Sequence, residues 1–175
     1  MSRKIIFGGA VSLDGFFAGP GEAMDWLLWS DDAAAVSAAS WKGVDTMLLG
    51  RKTYEVAMRS GHGLGVDPAK IRTFVFSRSL AEVAGGAELV REDAAAFVRR
   101  LKAEEGGDVV VMGGGELGSA LIEAGLVDEI GLNVHPVLLG GGIPAFRAMG
   151  RRVELELVEA RAMARGCVLL RYKAA

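Results

Sequence analysis

Three short segments of this chain carry the residue types that bind phosphate. Gly50-Arg51-Lys52-Thr53 places two cations and a hydroxyl at the start of an expected helix. Positive charge there opposes the helix dipole unless an anion neutralises it. Ser77-Arg78-Ser79 sets a guanidinium between two hydroxyls, a grouping suited to clamping phosphate oxygens. Gly113-Gly114-Gly115 hands the apolar run Val109-Val110-Val111-Met112 over to a helix expected from Glu116, through Leu117, to Glu123. Residues without side chains let a backbone close on a bulky group, and the helix start offers N–H groups to an anion. The plainer readings are solvated surface charges at Arg51 and Lys52 and a tight turn at the glycines. Three such corners in succession suggest one long polyphosphate ligand such as NADPH. Their cations favour the phosphorylated cofactor over NAD, because a doubly charged 2′-phosphate needs a charged partner.

Gly113 to Gly118 also fits the G-x-G-x-x-G pattern of dinucleotide-binding Rossmann units. Two facts count against that fold. The motif opens the second half of the chain, and the acids that follow, Asp128 and Glu129, start the next strand where they could not hold a ribose.

The rest of the chain has to bring these corners together. Strands are expected over residues 4–11, 45–49, 71–77, 108–112 and 127–134, where β-branched and apolar residues concentrate. Ser30-Asp31-Asp32 supplies an N-cap and first-turn acids for an alanine-rich helix to about Trp41. Residues 92–105 place Phe97, Val98 and Leu101 on one helical face, and Gly125 suits the end of the helix from Glu116. Residues 60–70, with three glycines and a proline, read as a loop. Residues 153–163 and 167–172 form a closing antiparallel pair around Ala164-Arg165-Gly166. This alternation gives an α/β fold whose ligands gather at the carboxyl ends of the strands. The junctions at residues 12–21, 50–55, 77–79 and 113–118 all fall there.

Composition narrows the function. With 175 residues and 51% apolar content, a single domain over 1–175 with a substantial core is expected. No apolar run approaches the ~20 residues of a membrane span, and the start of the chain reads as a strand rather than a secretion signal. A net charge of −2 argues against nucleic acid as partner. One cysteine, Cys167, with only His62 and His135 beside it, makes a structural zinc cluster unexpected, and no metal is expected. Cys167 reads as a small core residue. A cytoplasmic protein acting on a small molecule is the reading these features fit.

Four segments occur in an order that carries a family resemblance: Ala10-Val11-Ser12-Leu13-Asp14-Gly15, Leu48 to Glu55, Phe76-Ser77-Arg78-Ser79 and Val111 to Gly115. They resemble the dihydrofolate reductase-like superfamily, in particular the RibD C-terminal-like branch that includes the reductase domain of riboflavin biosynthesis. Leu126 to Ile130 and Pro136 to Pro144 are also similar to that branch, so the resemblance spans nearly the whole chain. It implies a dihydrofolate reductase-like central, mostly parallel sheet, helices on both faces and a C-terminal antiparallel hairpin. It implies NADPH held by Gly50, Arg51, Lys52 and Thr53 at its pyrophosphate or 2′-phosphate. Ser77, Arg78 and Ser79 would hold the adenosine end, and Gly113, Gly114, Gly115, Glu116 and Leu117 the pyrophosphate and nicotinamide side. A homodimer is implied as well.

The activity so implied resembles 5-amino-6-(5-phosphoribosylamino)uracil reductase: reduction of a small heterocycle or its ribosylamine derivative. Dihydrofolate reduction, or nucleotide binding without turnover, are the alternatives. Asp14 would lie near the nicotinamide and could orient a substrate or relay a proton; as part of Asp-Gly it is also a turn former. Asp31 sits about where folate-reducing relatives carry their acid, yet helix capping by the Ser30-Asp31-Asp32 cluster is the stronger explanation. Phe16, Trp26 and Trp29 could stack on a flat ring or serve the core. Two departures stand out. Phe16 occupies the place of a lysine common in riboflavin-pathway reductases, which argues against a phosphorylated ribosyl substrate. A deaminase zinc site is excluded by the single cysteine.

Overall fold

The computed structural model describes residues 3–61 and 63–174, so His62 lies outside the described residues. Strands form where β-branched and apolar residues cluster: β1 (Ile5–Ser12), β2 (Phe16–Ala18), β3 (Val44–Gly50), β4 (Arg72–Phe76) and β5 (Glu88–Val90). They continue as β6 (Asp108–Met112), β7 (Glu129–His135), β8 (Ile143–Pro144), β9 (Leu155–Ala162) and β10 (Val168–Ala174). Between them lie helices α1 (Asp31–Ser40), α2 (Arg51–Arg59), α3 (Ala94–Ala103) and α4 (Gly115–Glu123).

Eight strands form one sheet in the order β5-β4-β3-β6-β1-β7-β10-β9. β10 runs antiparallel to β7 and β9, and the pairs from β5 to β7 are parallel. The expected mostly parallel sheet with a C-terminal hairpin is therefore present, with β2 and β8 as a separate antiparallel pair. Helices cover both faces. α3 and α4 bury Val98, Leu101, Leu117 and Leu121 against Ile5, Phe7, Leu48, Val109 and Val111. Fully burying such a side chain contributes about 1.5–3 kcal/mol. On the other face, α2 packs Tyr54 on Met47, Leu49 and Val75, while α1 packs Ala33 on Met163, Cys167 and Leu169. Cys167 is thus the core residue its sequence context suggested.

Local signals set the helix ends. Ser30 accepts the N–H of Ala33 at the start of α1, and Asp93 accepts that of Ala96 at the start of α3. The paired bonds Gly125 N–H to Ile122 O and Leu126 N–H to Leu121 O close α4 as a Schellman motif. Asp128 stays outside β7 because its carboxylate accepts the Ile5 N–H and pairs with Lys102. β5, β2 and β8 were not anticipated. At two or three residues each, they are too short to show a period of two.

Candidate functional site

The phosphate-type corners meet on one rim. β4, β3 and β6 are consecutive neighbours in the sheet, and Gly50 is in register with Phe76, as Leu49 is with Met112. Adjacent strands lie about 4.8 Å apart, so Arg51 to Thr53, Ser77 to Ser79 and Gly113 to Leu117 follow three side-by-side strand tips.

Two helices begin on this rim, and neither start is capped by a side chain. The N-cap of α2 is Gly50 and that of α4 is Gly114, both without a side-chain hydrogen bond. α3, which begins one strand further along the same edge after β5, is capped by Asp93, and α1 is capped by Ser30. First-turn N–H groups without an intrahelical partner favour an anion. Arg51, Lys52 and Thr53 form the first turn of α2, which holds no acid.

The glycines themselves have local explanations. Gly113 and Gly114 take φ of 62° and 61°, a conformation costly for other residues. A β-carbon on Gly115 would lie 2.5 Å from the Pro144 carbonyl oxygen, and one on Gly118 would lie 2.0 Å from the Phe7 ring. Packing accounts for this motif, and it is the uncapped helix starts that favour an anion.

Side chains on the rim are organised by neighbours. The Arg51 guanidinium donates to both carboxylate oxygens of Glu55 at 2.9 Å. Ser77 Oγ accepts the N–H groups of Ser79 and Leu80 at 3.2 and 3.1 Å, forming a tight hydroxyl turn beneath the exposed Arg78. Tyr54, buried on α2, accepts the Ala84 N–H at 2.8 Å and fixes the segment that follows. Lys52 and Glu116 are exposed.

Beside this rim the sheet splits. Pairing of β1 with β6 ends at Gly8 and Met112, whereas pairing of β1 with β7 continues to Ser12 and His135. Among the described residues no strand pairs with the β6-facing edge of β1 over Gly9–Ser12, leaving a notch opposite Gly113 and Gly114. The sheet face at this notch is also open. Ile5, Phe7, Val109 and Val111 are completely buried on the α3/α4 face. The alternating residues of the same strands, Ile6, Gly8, Ala10, Val110 and Met112, are only half-buried, as are Gly131 and Asn133. α1 and α2 flank this strip, and a β-carbon on Gly131 would meet nothing within 4 Å. The result is a groove with a flat, small-residue floor.

Asp14 lies exposed at the mouth of the groove. Its carboxylate accepts the Ser12 hydroxyl at 2.7 Å and the N–H groups of Leu139 and Gly140, the last at 2.8 Å. The Ser12 hydroxyl, with the Gly140 and Leu139 N–H groups, holds its carboxyl below the ordinary carboxylate range. Asp14 therefore fastens the β1–β2 turn to the segment after β7. Asp31 stands exposed on the first turn of α1, while neighbouring Asp32 accepts the N–H groups of Ala33 at 2.9 Å and Ala164 at 2.6 Å. Of the three aromatics, Trp26 packs edge-on against His135 with centroids 5.2 Å apart. Phe16 is half-buried in β2, and Trp29 is 67% exposed, outside the core.

Sequence reading missed a polar group at the end of β7. His135 is 2% exposed; its Nδ1 accepts the Leu28 N–H at 3.2 Å and lies 3.7 Å from Cys167 Sγ. Burial pushes the imidazole below its usual pKa. Asn133 Nδ2 lies 3.3 Å from His135 Nε2, and Asn133 Oδ1 is buried without a partner among the described residues. The alternation Asn133-Val134-His135, polar residues on one face of an apolar strand, was the available signal. A separate open cavity of about 710 Å³ lies at the opposite ends of the strands, lined by Lys4, Glu129, Arg151 and Lys173 among others. It shares no residue with this rim.

The family model of the RibD C-terminal domain matches residues 3–169. The uncharacterized protein YyaP of Bacillus subtilis is 31% identical over 179 residues, covering 97% of this chain and 94% of its own length. A provisionally assigned riboflavin biosynthesis protein of Shewanella sp. PV-4 superposes with a TM-score of 0.85 at 23% identity, covering 100% of this chain and 99% of that one. Dihydrofolate reductase of Enterococcus faecalis, solved with NADP(H) and RAB-propyl, superposes with a TM-score of 0.70 at 17% identity, covering 99% of each chain. At such identities the two structures speak for the fold.

Proposed function

The chain belongs to the RibD C-terminal domain family, and on that premise we propose that it is an NADPH-dependent reductase of a small, flat heterocycle. The observation that carries this reading is the pair of neighbouring helix starts, α2 and α4, both without side-chain caps and beset by Arg51, Lys52 and Arg78. That cradle fits a phosphorylated dinucleotide. Gly50 to Thr53 would hold its pyrophosphate or 2′-phosphate, Ser77, Arg78 and Ser79 the adenosine end, and Gly113 to Leu117 the side toward the nicotinamide. The unpaired edge of β1 beyond Gly8 offers backbone donors and acceptors for a carboxamide. NADPH would supply hydride to a C=N or C=O carbon.

The protein's own part is binding, orientation and exclusion of water. The groove floored by Gly8, Ala10 and Gly131 would receive a planar ring next to the notch. Asp14, kept ionised by its three donors, would hold the mouth of the groove in shape rather than give up a proton. Asp31 is exposed, which weighs against dihydrofolate turnover. Ribosylaminopyrimidines of riboflavin biosynthesis are the reference substrates to test, and Phe16 argues for one without a ribosyl phosphate. We also propose a homodimer built on the edge strand β9, where Leu155, Leu157 and Val158 are 41%, 54% and 47% exposed.

Fluorescence titration with NADPH and NADH tests the reading. Tighter binding of NADPH, weakened selectively by Arg51→Ala, supports it. No binding of either nucleotide, or equal losses for both in the variant, overturns it.

A further inference from the structure

The floor of the groove is apolar except near its carboxyl end, where Asn133 shares a face with Ala10 and Leu169, its register partners. The orientation of this amide follows from His135. Because Nδ1 of His135 accepts the Leu28 N–H, the single proton of the neutral ring sits on Nε2. Nε2–H then faces the Asn133 amide at 3.3 Å and requires an acceptor there. Two donors cannot share that contact, so the amide oxygen must occupy it. The amide stands with Nδ2 toward His135 and Oδ1 in the other position, which is buried and has no partner among the described residues. Amide oxygen and nitrogen exchange by a half-turn about χ2, and this bonding requires the turned orientation, with NH2 in the buried position. A buried donor without an acceptor opposes folding, and such groups are retained where something else completes them.

We propose that Asn133, held in orientation by His135, is a specificity-determining residue for the heterocyclic substrate and donates its NH2 to a ring carbonyl oxygen. The proposal rests on the reductase reading above and adds the substrate's chemical class: a ring that carries a carbonyl, as in a cyclic amide, in preference to the same ring carrying an amino group. The site discriminates because an amino edge would set donor against donor. Leu28 and Trp26 bring the segment before α1 onto His135, the neighbour of this amide, so a ring that reaches the amide has to displace that segment.

The test uses the full chain with NADPH bound, and lumazine and 2,4-diaminopteridine as probes, which share a ring system and exchange two carbonyls for amino groups. Wild type is expected to bind lumazine about tenfold or more tightly than the diamine. Asn133→Asp keeps an acceptor for His135 Nε2–H and exchanges the donors for a carboxylate oxygen, with a negative charge; it should abolish or reverse the preference while the NADPH Kd changes less than about twofold. Asn133→Leu removes the unpaired donor but also the acceptor of the buried His135 Nε2–H, so the two effects on Tm oppose each other, and the variant should lose the preference. A wild type without the preference, or a preference that survives in both variants, overturns the proposal. A fall in Tm for Asn133→Leu with unchanged selectivity would mark Asn133 as structural. Failure of wild type to bind NADPH would instead strike the reductase reading, so the two failures are distinguishable.

Discussion

The hydroxyl of Thr53 stands so close to Gly113 that a β-carbon on the glycine would lie 2.7 Å from it. This contact joins the first turn of α2 to the loop entering α4 and brings two uncapped helix starts together. Gly113→Ala should therefore carry two costs. Its φ of 62° imposes about 1–2 kcal/mol on any residue with a β-carbon, and the collision with Thr53 adds to that. A loss of about 2–4 °C in Tm per kcal/mol is expected for a chain of this size. Thr53→Ala in the same chain should recover only the steric share, as thermal unfolding of the double variant would show.

Arg51 is engaged by Glu55 across one turn of α2, and such a half-exposed i,i+4 pair contributes only about 0.3–0.5 kcal/mol. A phosphate can displace the carboxylate at little cost. Glu55→Gln should leave stability nearly unchanged and tighten NADPH binding several-fold at low salt. Arg51→Ala should weaken NADPH by about tenfold or more and NADH far less. Calorimetric titration at two ionic strengths checks both, and the gain in Glu55→Gln should shrink as salt rises.

Acid should destabilise the protein in two stages. Burial lowers the pKa of His135, so the unfolded chain binds more protons and stability is lost as pH falls below about 6.5. Asp14, with its pKa lowered by Ser12 and two backbone N–H groups, contributes stability at higher pH that is lost below about pH 4. Urea unfolding across pH should show the upper stage vanish in His135→Gln and the lower stage weaken in Asp14→Asn.

β9 presents Leu155, Leu157 and Val158 to solvent along the outer edge of the eight-stranded sheet. If two chains meet there, Leu157→Lys should convert a dimer into a folded monomer in light scattering and leave the far-UV spectrum unchanged. A wild-type chain that runs as a monomer would refute the dimer directly.

Much of the fold was legible because its strands are apolar runs and two of its helices, α1 and α3, carry side-chain caps. Ser30 and the Gly125 stop worked as read, since capping depends on neighbours along the chain. The rim was half legible. Arg51, Arg78 and Gly114 could be marked as phosphate-friendly one at a time, but the order β4-β3-β6 that places them together is a matter of pairing between distant segments.

Sequence by itself determined the alternation of elements, the cation-bearing starts of two junctions and the family. Tertiary structure alone decided three further things. It showed which glycines answer to packing: Gly115 lies against Pro144 and Gly118 against Phe7, contacts that no local pattern encodes. It turned Asp14 from a turn former into a fastener by supplying donors from residues 139 and 140. It also joined Asn133, His135 and Leu28 across more than a hundred residues, fixing a tautomer that local sequence leaves open. Local propensity acts over a few residues, whereas a binding surface is made by whichever side chains the sheet order happens to align.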